Sequence, residues 1–264
     1  MNLNNYRCFL LDMDGTIFLG DQLIPGAGEF IATLESLGKE YFFVTNNSSR
    51  APQDYWDKLS RLGLSVEENR IITSGTATVG YITSCHPGEK VYLLGTPQLA
   101  AQFSQGGIKL AEARDFPGLV VLGFDTTLTY QKLLEACELL SRGAVFIATH
   151  PDINCPLPEG RFMPDAGAMI ALLTASTGRE PIIIGKPHQG LVDYVADRVS
   201  CPHEEMLMVG DRLYTDIAMG QAGIGTALVL SGEARQEDIV ASKYKPDFVF
   251  PSIRELAMEL RKIC

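Results

Sequence analysis

Read from its amino end, the chain alternates short unbroken apolar runs with longer stretches whose apolar residues recur every three or four positions. Runs such as CFLL (8–11), YFFVT (41–45), VYLL (91–94) and MLMV (206–209) have the length of a strand. They are apolar on both faces, as a parallel sheet covered by helices requires. In Gly26–Leu37, Phe30, Leu34 and Leu37 share one helical face and Gly38 stands where such a helix stops. The pattern predicts strands at Cys8–Asp12, Tyr41–Thr45 and Arg70–Thr73, with helices over Gly26–Leu37 and Pro52–Leu62 between them. A second series has strands near Val91–Leu94, Leu119–Phe124 and Ala144–Ala148, followed by a helix over Ala166–Thr177. After it come strand Ile182–Ile184, helix Pro187–Val199, strand Met206–Val209, helix Leu213–Ala222, and strands Thr226–Leu230 and Phe248–Phe250. Pro97 after Thr96 suits the first position of a helix, and Ser252 with Glu255 forms a capping box for the last one. This βα rhythm predicts an α/β protein with a doubly wound parallel sheet.

Composition narrows the picture modestly. At 264 residues the chain exceeds the usual single domain, so one large or two modest domains are expected. A net charge of −10 argues against nucleic acid and against an anionic membrane surface as partners. The six cysteines, Cys8, Cys85, Cys137, Cys155, Cys201 and Cys264, include no C-x-x-C pair and read as reduced thiols. The histidines His86, His150, His188 and His203 show no metal-ligand spacing. Residues 71–88 lack charge but are rich in Ser, Thr and Gly, and MNLNNYRCF has neither the basic region nor the apolar stretch of a signal peptide. A cytoplasmic location is the expectation.

The chemistry begins at CFLLDMDGTIFLG, residues 8–20, where an apolar strand ends in Asp12 and Asp14 with Gly15 and Thr16 next. Active sites of open α/β sheets sit at the carboxyl ends of strands, which is where this strand delivers Asp12. Two carboxylates there suit a shared divalent cation together with a substrate phosphate, and one of them suits a covalent nucleophile. Taken alone, D-x-D-G-T also serves as an Asx turn or a helix cap. Three later stretches follow predicted strands as well. FFVTNN ends in Thr45, Asn46 and Asn47, neutral donors suited to phosphate oxygens. Gly185-Lys186-Pro187 supplies a cation, and MVGDRLYTD supplies Asp211 and Asp216.

Taken in order, DMDGT, TNN, GKP and GDRLYTD resemble the four motifs of the haloacid dehalogenase superfamily, and their spacing resembles its NagD-like, p-nitrophenylphosphatase or sugar-phosphatase branch. The likeness extends to LIPGA, ATHPD and GRFMPDAGAM. It implies a Rossmann-like catalytic core at residues 1–79 and 182–264, with a smaller α/β cap of the C2 type inserted at 80–181. It also implies Asp12 as nucleophile, Asp14 as the acid and base at the leaving oxygen and the hydrolytic water, and Thr45, Asn46 and Lys186 as phosphate ligands. Mg²⁺ would be held by Asp12, the Asp14 carbonyl and Asp211, with Asp216 orienting metal waters or Lys186. Dehalogenases of the superfamily lack the second aspartate of D-x-D, so the pair at Asp12 and Asp14 favours phosphoryl transfer.

In the cap, His150 and Asp152 fall in a stretch that resembles the family's specificity loop, and Asp165 falls in the neighbouring turn. The family's frequent P-G-x-G-A reads P-D-A-G-A here, so nucleotide or glycolate substrates are not carried over by the resemblance. The activity implied is Mg²⁺-dependent hydrolysis of a small phosphate ester, with a sugar or polyol phosphate favoured and p-nitrophenyl phosphate as an artificial substrate. Alternatives left open are a phosphotransferase or mutase with the same intermediate, a nucleotide phosphatase, and a non-catalytic sensor of phosphorylated ligands. The partner implied is a small phosphorylated metabolite, and self-association through the cap is left open. Arg212, Leu213 and Tyr214 read as packing, and Glu233–Asp238 as a solvated turn and helix start.

Overall fold

The computed structural model describes residues 2–156 and 161–262, so Cys264 and Gly160 of the GRFMPDAGAM stretch lie outside the described residues. Strand β1 (Cys8–Leu11) is followed by a small hairpin of β2 (Phe18–Leu19) and β3 (Gln22–Leu23). Helix α1 (Ala27–Ser36), strand β4 (Glu40–Thr45), helix α2 (Pro52–Arg61) and strand β5 (Ile71–Thr73) come next. The middle of the chain forms α3 (Ser74–Cys85), β6 (Lys90–Leu94), α4 (Pro97–Gln105), β7 (Lys109–Leu110), β8 (Leu119–Leu122), α5 (Tyr130–Ser141) and β9 (Val145–Ala148). An antiparallel ribbon of β10 (Asn154–Pro156) and β11 (Phe162–Pro164) leads into α6 (Ala166–Thr177) and β12 (Ile182–Ile183). The chain ends with α7 (Gln189–Val199), β13 (Met206–Gly210), β14 (Gly225–Val229), α8 (Gln236–Ala241), β15 (Phe248–Phe250) and α9 (Ile253–Lys262).

These elements sort into two units. The first comprises Met1–Thr45, Gln53–Ile72 and Lys186–Cys264; the second comprises Asn46–Pro52 and Thr73–Gly185. In the first unit six strands lie in the order β15-β14-β13-β1-β4-β5. Leu11 pairs in parallel with Phe43 on one side and Val209 on the other. This is a doubly wound order. From β1 the chain moves to β4 on one side, and much later it returns to β13 on the other, so connections diverge at the β1–β13 boundary and leave a crevice at its carboxyl edge. Below that edge Phe30, Ile31 and Leu34 of α1 meet Ile253, Leu256 and Leu260 of α9 in one apolar core with Phe9, Leu11 and Phe43 of the sheet.

The second unit has its own parallel sheet, in the order β12-β9-β8-β6-β7. Ala136, Leu139 and Leu140 of α5 and Ile170 and Leu173 of α6 cover it. Residues 46–52 belong to this unit through side-chain bonds. Phe124 N donates to Ser48 Oγ at 2.9 Å, Ser48 Oγ and Thr149 Oγ1 are 3.0 Å apart, and Thr96 Oγ1 donates to Ser49 O at 3.2 Å.

The units divide differently from the sequence-based borders of 79/80 and 181/182. Ile182 and Ile183 pair with Ile147 and Ala148 of the second sheet, so the return to the first unit comes at Lys186; residues 46–52 and 73–79 also fall in the second unit. An apolar dipeptide carries no mark of which sheet will accept it, since pairing is non-local. The predicted helix over Leu213–Ala222 is instead a turn followed by a 3₁₀ helix at Ile217–Ala222. Asp216 Oδ2 accepts the Arg212 N–H at 3.1 Å, a side-chain bond that competes with α-helical pairing. The β2–β3 hairpin, β7 and the β10–β11 ribbon went unpredicted because two or three residues show no period.

Candidate active site

The site of the first unit grows from the carboxyl ends of β1 and β13. Asp12 N donates to Val209 O at 2.9 Å, continuing the ladder one residue past β1, and Asp211 follows directly on Gly210 of β13. Two side chains about 200 residues apart in sequence thus become neighbours. Lys186 joins them. Its buried Nζ donates to Asp12 Oδ1 at 2.5 Å and to Asp216 Oδ1 at 2.7 Å. Carboxylate oxygens of Asp12, Asp211 and Asp216 all lie within 4.8 Å of one another. Thr45 closes β4, the strand beside β1, at the same edge of this sheet.

Past Asp12 the chain turns sharply. Gly15 has φ +83°, and its N–H donates to Phe18 O at 2.8 Å. A Cβ at Gly15 would collide with the Asp211 carboxylate, so glycine is required both for the turn and for this close approach. Asp14 stands exposed on the turn.

Three carboxylates face the Lys186 ammonium and the nearby Arg212 guanidinium, so negative charge exceeds positive in the cluster. Loss of solvent pushes the Asp12 carboxyl well above the usual range, Lys186 opposes this, and Asp216 and Asp211 push it further up. Asp211 is raised to about 6, chiefly by burial and then by Asp216. For Lys186 burial disfavours the ammonium, but Asp12 and Asp216 outweigh it and hold the proton. Both Asp216 oxygens are engaged, by Lys186 and by Arg212 N. Asp211 differs. Its Oδ2 accepts the Glu233 N–H at 2.7 Å, while Oδ1 is buried without a hydrogen-bond partner among the described residues. An orphaned buried carboxylate oxygen beside a second carboxylate fits a hard divalent cation, which oxygen donors favour. Asp12 and Asp211 are the side chains able to hold one.

Sequence reasoning missed the loop after β14. Glu233 is exposed, in keeping with its reading as part of a solvated turn and helix start, but its Oε2 also pairs with Arg212 Nε at 3.1 Å, a contact with no sequence signal. The only hint was Ser231-Gly232 at a strand end.

With this geometry in place, known proteins give a consistent match. A haloacid dehalogenase-like hydrolase family model matches residues 9–109, and a second HAD-hydrolase-like model matches residues 183–256. An acid sugar phosphatase of Staphylococcus aureus is 35% identical over 263 residues, covering 98% of this chain and all of that one. Among solved structures, a 4-nitrophenylphosphatase from Thermotoga maritima superposes with a TM-score of 0.92 at 47% identity, covering 97% of this chain and 98% of that one. The chain belongs to the haloacid dehalogenase superfamily. NagD from Escherichia coli K-12 superposes at 0.87 with 29% identity, covering 97% and 98% of the two chains. The chain is a phosphatase of the NagD-like branch, as its motif spacing implies.

In this NagD-like phosphatase the remaining predicted residues gather in the second unit. Asn46 is buried and donates from Nδ2 to Asp152 Oδ1 at 3.0 Å, while its backbone carbonyl accepts the Ser74 hydroxyl. His150 follows β9 and is fully buried. Its Nε2 donates to Asp165 Oδ1 at 2.9 Å, and Nδ1 lies 2.9 Å from Thr149 Oγ1. Asp165 caps α6, its Oδ1 accepting the Ala166 N–H at 2.6 Å. The imidazole and the Asp165 carboxylate satisfy each other inside the unit; Asp152 is half-buried. No helix of the described residues is long and apolar enough to cross a membrane.

Proposed function

We propose that this phosphatase hydrolyses monophosphate esters of small polyols or sugars through a phosphorylated Asp12, with Mg²⁺ as cofactor. The observation that carries the reading is the Asp12 carboxylate, pinned by the Lys186 ammonium beside an Asp211 whose Oδ1 has no hydrogen-bond partner among the described residues. An Asp12 oxygen attacks phosphorus, the bond to the ester oxygen breaks, and Asp14 donates its proton to the departing alcohol. Water then attacks the phosphoryl group of Asp12. Asp14 takes a proton from it, and inorganic phosphate leaves with the Asp12 carboxylate restored.

Lys186, the Thr45 hydroxyl and the Asn46 region bind the oxygens over which charge spreads. Repulsion between Asp12 and a phosphate is on the order of several kcal/mol at protein-like dielectric. The ammonium offsets part of it. Mg²⁺, held by the carboxylates of Asp12 and Asp211 and the Asp14 carbonyl, would supply the remaining positive charge. Asp216 positions Lys186, as its 2.7 Å bond suits it to do.

The substrate reading draws support from the acid sugar phosphatase relatives and from the polar chemistry of the second unit. The first unit's groups engage features that all phosphomonoesters share, so discrimination belongs to groups that read the alcohol. Asp152 is our choice, presented by a loop that the buried His150–Asp165 pair supports. A panel of sugar, polyol and nucleoside monophosphates, assayed with Mg²⁺ and with added acceptor alcohols, tests the reading. Phosphate release fastest from sugar or polyol esters, with water as acceptor and no turnover by folded Asp12→Asn, is the expected result. Transfer to the acceptor would move the reading to a phosphotransferase, and near-native Asp12→Asn rates would refute the covalent step.

A further inference from the structure

Between β14 and α8 the chain runs Ser231-Gly232-Glu233-Ala234, a stretch that the sequence pattern offers only as a turn. In the structure it ties down both acidic loops of the first unit. Ser231 Oγ donates to Gly15 O at 2.8 Å. The Glu233 N–H donates to Asp211 Oδ2 at 2.7 Å, and the Ala234 N–H to Asp211 O at 3.1 Å. Ala234 is buried among Leu213, Ile217 and Leu228, which anchors the loop to the packed body of the unit. The Glu233 side chain adds the ion pair to Arg212 and accepts the Tyr214 hydroxyl at 3.2 Å.

Gly232 completes the arrangement by what it lacks. A Cβ at this position would collide with Oδ2, Cγ and Cβ of Asp211. Glycine leaves that volume to the carboxylate, which can then sit under the Glu233 N–H. One Asp211 oxygen is thereby fixed by a backbone donor, and the other, Oδ1, stays buried with no hydrogen-bond partner among the described residues. A carboxylate held by one oxygen has lost most of its torsional freedom before any ligand arrives. Partners of this kind set the geometry of a metal site as much as the ligands do.

We propose that Ser231–Glu233 is a positioning element that presets Asp211 for Mg²⁺, acting through the Glu233 backbone N–H and the missing side chain of Gly232. The inference rests on Asp211 being a metal ligand.

The test is a calorimetric titration of the intact protein with Mg²⁺, together with the Mg²⁺-induced rise in melting temperature. Wild type is compared with Gly232→Ala and Glu233→Ala. Gly232→Ala is expected to weaken Mg²⁺ binding by about ten- to a hundredfold. Glu233→Ala keeps the backbone donor and should stay within about twofold. Native-like Mg²⁺ affinity in Gly232→Ala would overturn the proposal, as would a loss in Glu233→Ala equal to that in Gly232→Ala. Should Gly232→Ala fail to fold, Ser231→Ala, which deletes only the tie to Gly15 O, is expected to weaken binding severalfold, and an unchanged affinity there refutes the role. A wild-type protein that does not bind Mg²⁺ at all would instead bring down the metal reading itself, so the two failures are distinguishable.

Discussion

Lys186 is where stability and the proposed chemistry meet. It is buried and shared between Asp12 and Asp216, so removing it leaves two carboxylates without the ammonium that bonds both. Breaking a buried pair in this way costs about 3–5 kcal/mol. Lys186→Ala is therefore expected to lower both urea stability and kcat/KM, the latter by about 10²–10³-fold as for other lost oxyanion donors. A loss confined to stability would remove it from the chemistry. Asp211, alongside the also raised Asp12, contributes a pH dependence. Its carboxyl, raised from 3.8 to about 6 chiefly by burial, binds its proton more tightly folded than unfolded. The contribution to metal-free stability is thus complete below about pH 4 and is lost as pH rises through 6. Mg²⁺ must displace that proton, so its affinity should fall as pH drops below 6. Melting curves with and without Mg²⁺ from pH 4 to 8 check both signs. A Mg²⁺ effect of constant size across that range would refute the coupling.

At the scale of elements, α6 starts where it does because Asp165 caps it and is itself held by His150. Asp165→Ala removes a cap and leaves a buried imidazole nitrogen without its acceptor, at a cost of about 1–3 kcal/mol. Asp165→Asn should recover much of this in chemical denaturation; a neutral Asp165→Ala would show the pair to be dispensable. Asp152 is different, half-buried on the loop between β9 and β10 and bonded to Asn46. Asp152→Ala is expected to reduce kcat/KM for the preferred polyol or sugar ester far more than for p-nitrophenyl phosphate. Equal losses would move specificity to other residues of the second unit. The contrast between two aspartates separated by one short ribbon was invisible in ATHPD and MPDAGA, since burial depends on what packs over each.

For the whole molecule the decisive feature is strand order. Placing β13 beside β1 brings the carboxyl-terminal Asp211 to the amino-terminal Asp12, so a cation bound there links both ends of the chain within one unit. Mg²⁺ at a hundred times its dissociation constant should stabilise the fold by about 2.7 kcal/mol. Excess chelator should abolish turnover and remove that stabilisation, and re-added Mg²⁺ should restore both. Full activity in chelator would dismiss the metal.

Apolar runs of four or five residues, helical periodicity between them and four polar clusters at strand ends were legible in the linear sequence. Strand, helix and D-x-D chemistry are written in residue types and near-neighbour spacing, which local sterics and burial translate directly. Phe248–Phe250 and Ala166–Thr177 therefore formed where the pattern predicts them. Tertiary structure alone decided that Ile182–Ile183 joins the second sheet, that Asp216 unwinds the start of its predicted helix, that His150 and Asp165 satisfy each other out of solvent, and that Ser231–Glu233 grips Asp211. Each of these depends on a partner distant in sequence or on the space a neighbour leaves, and such distances exist only once the chain has closed on itself.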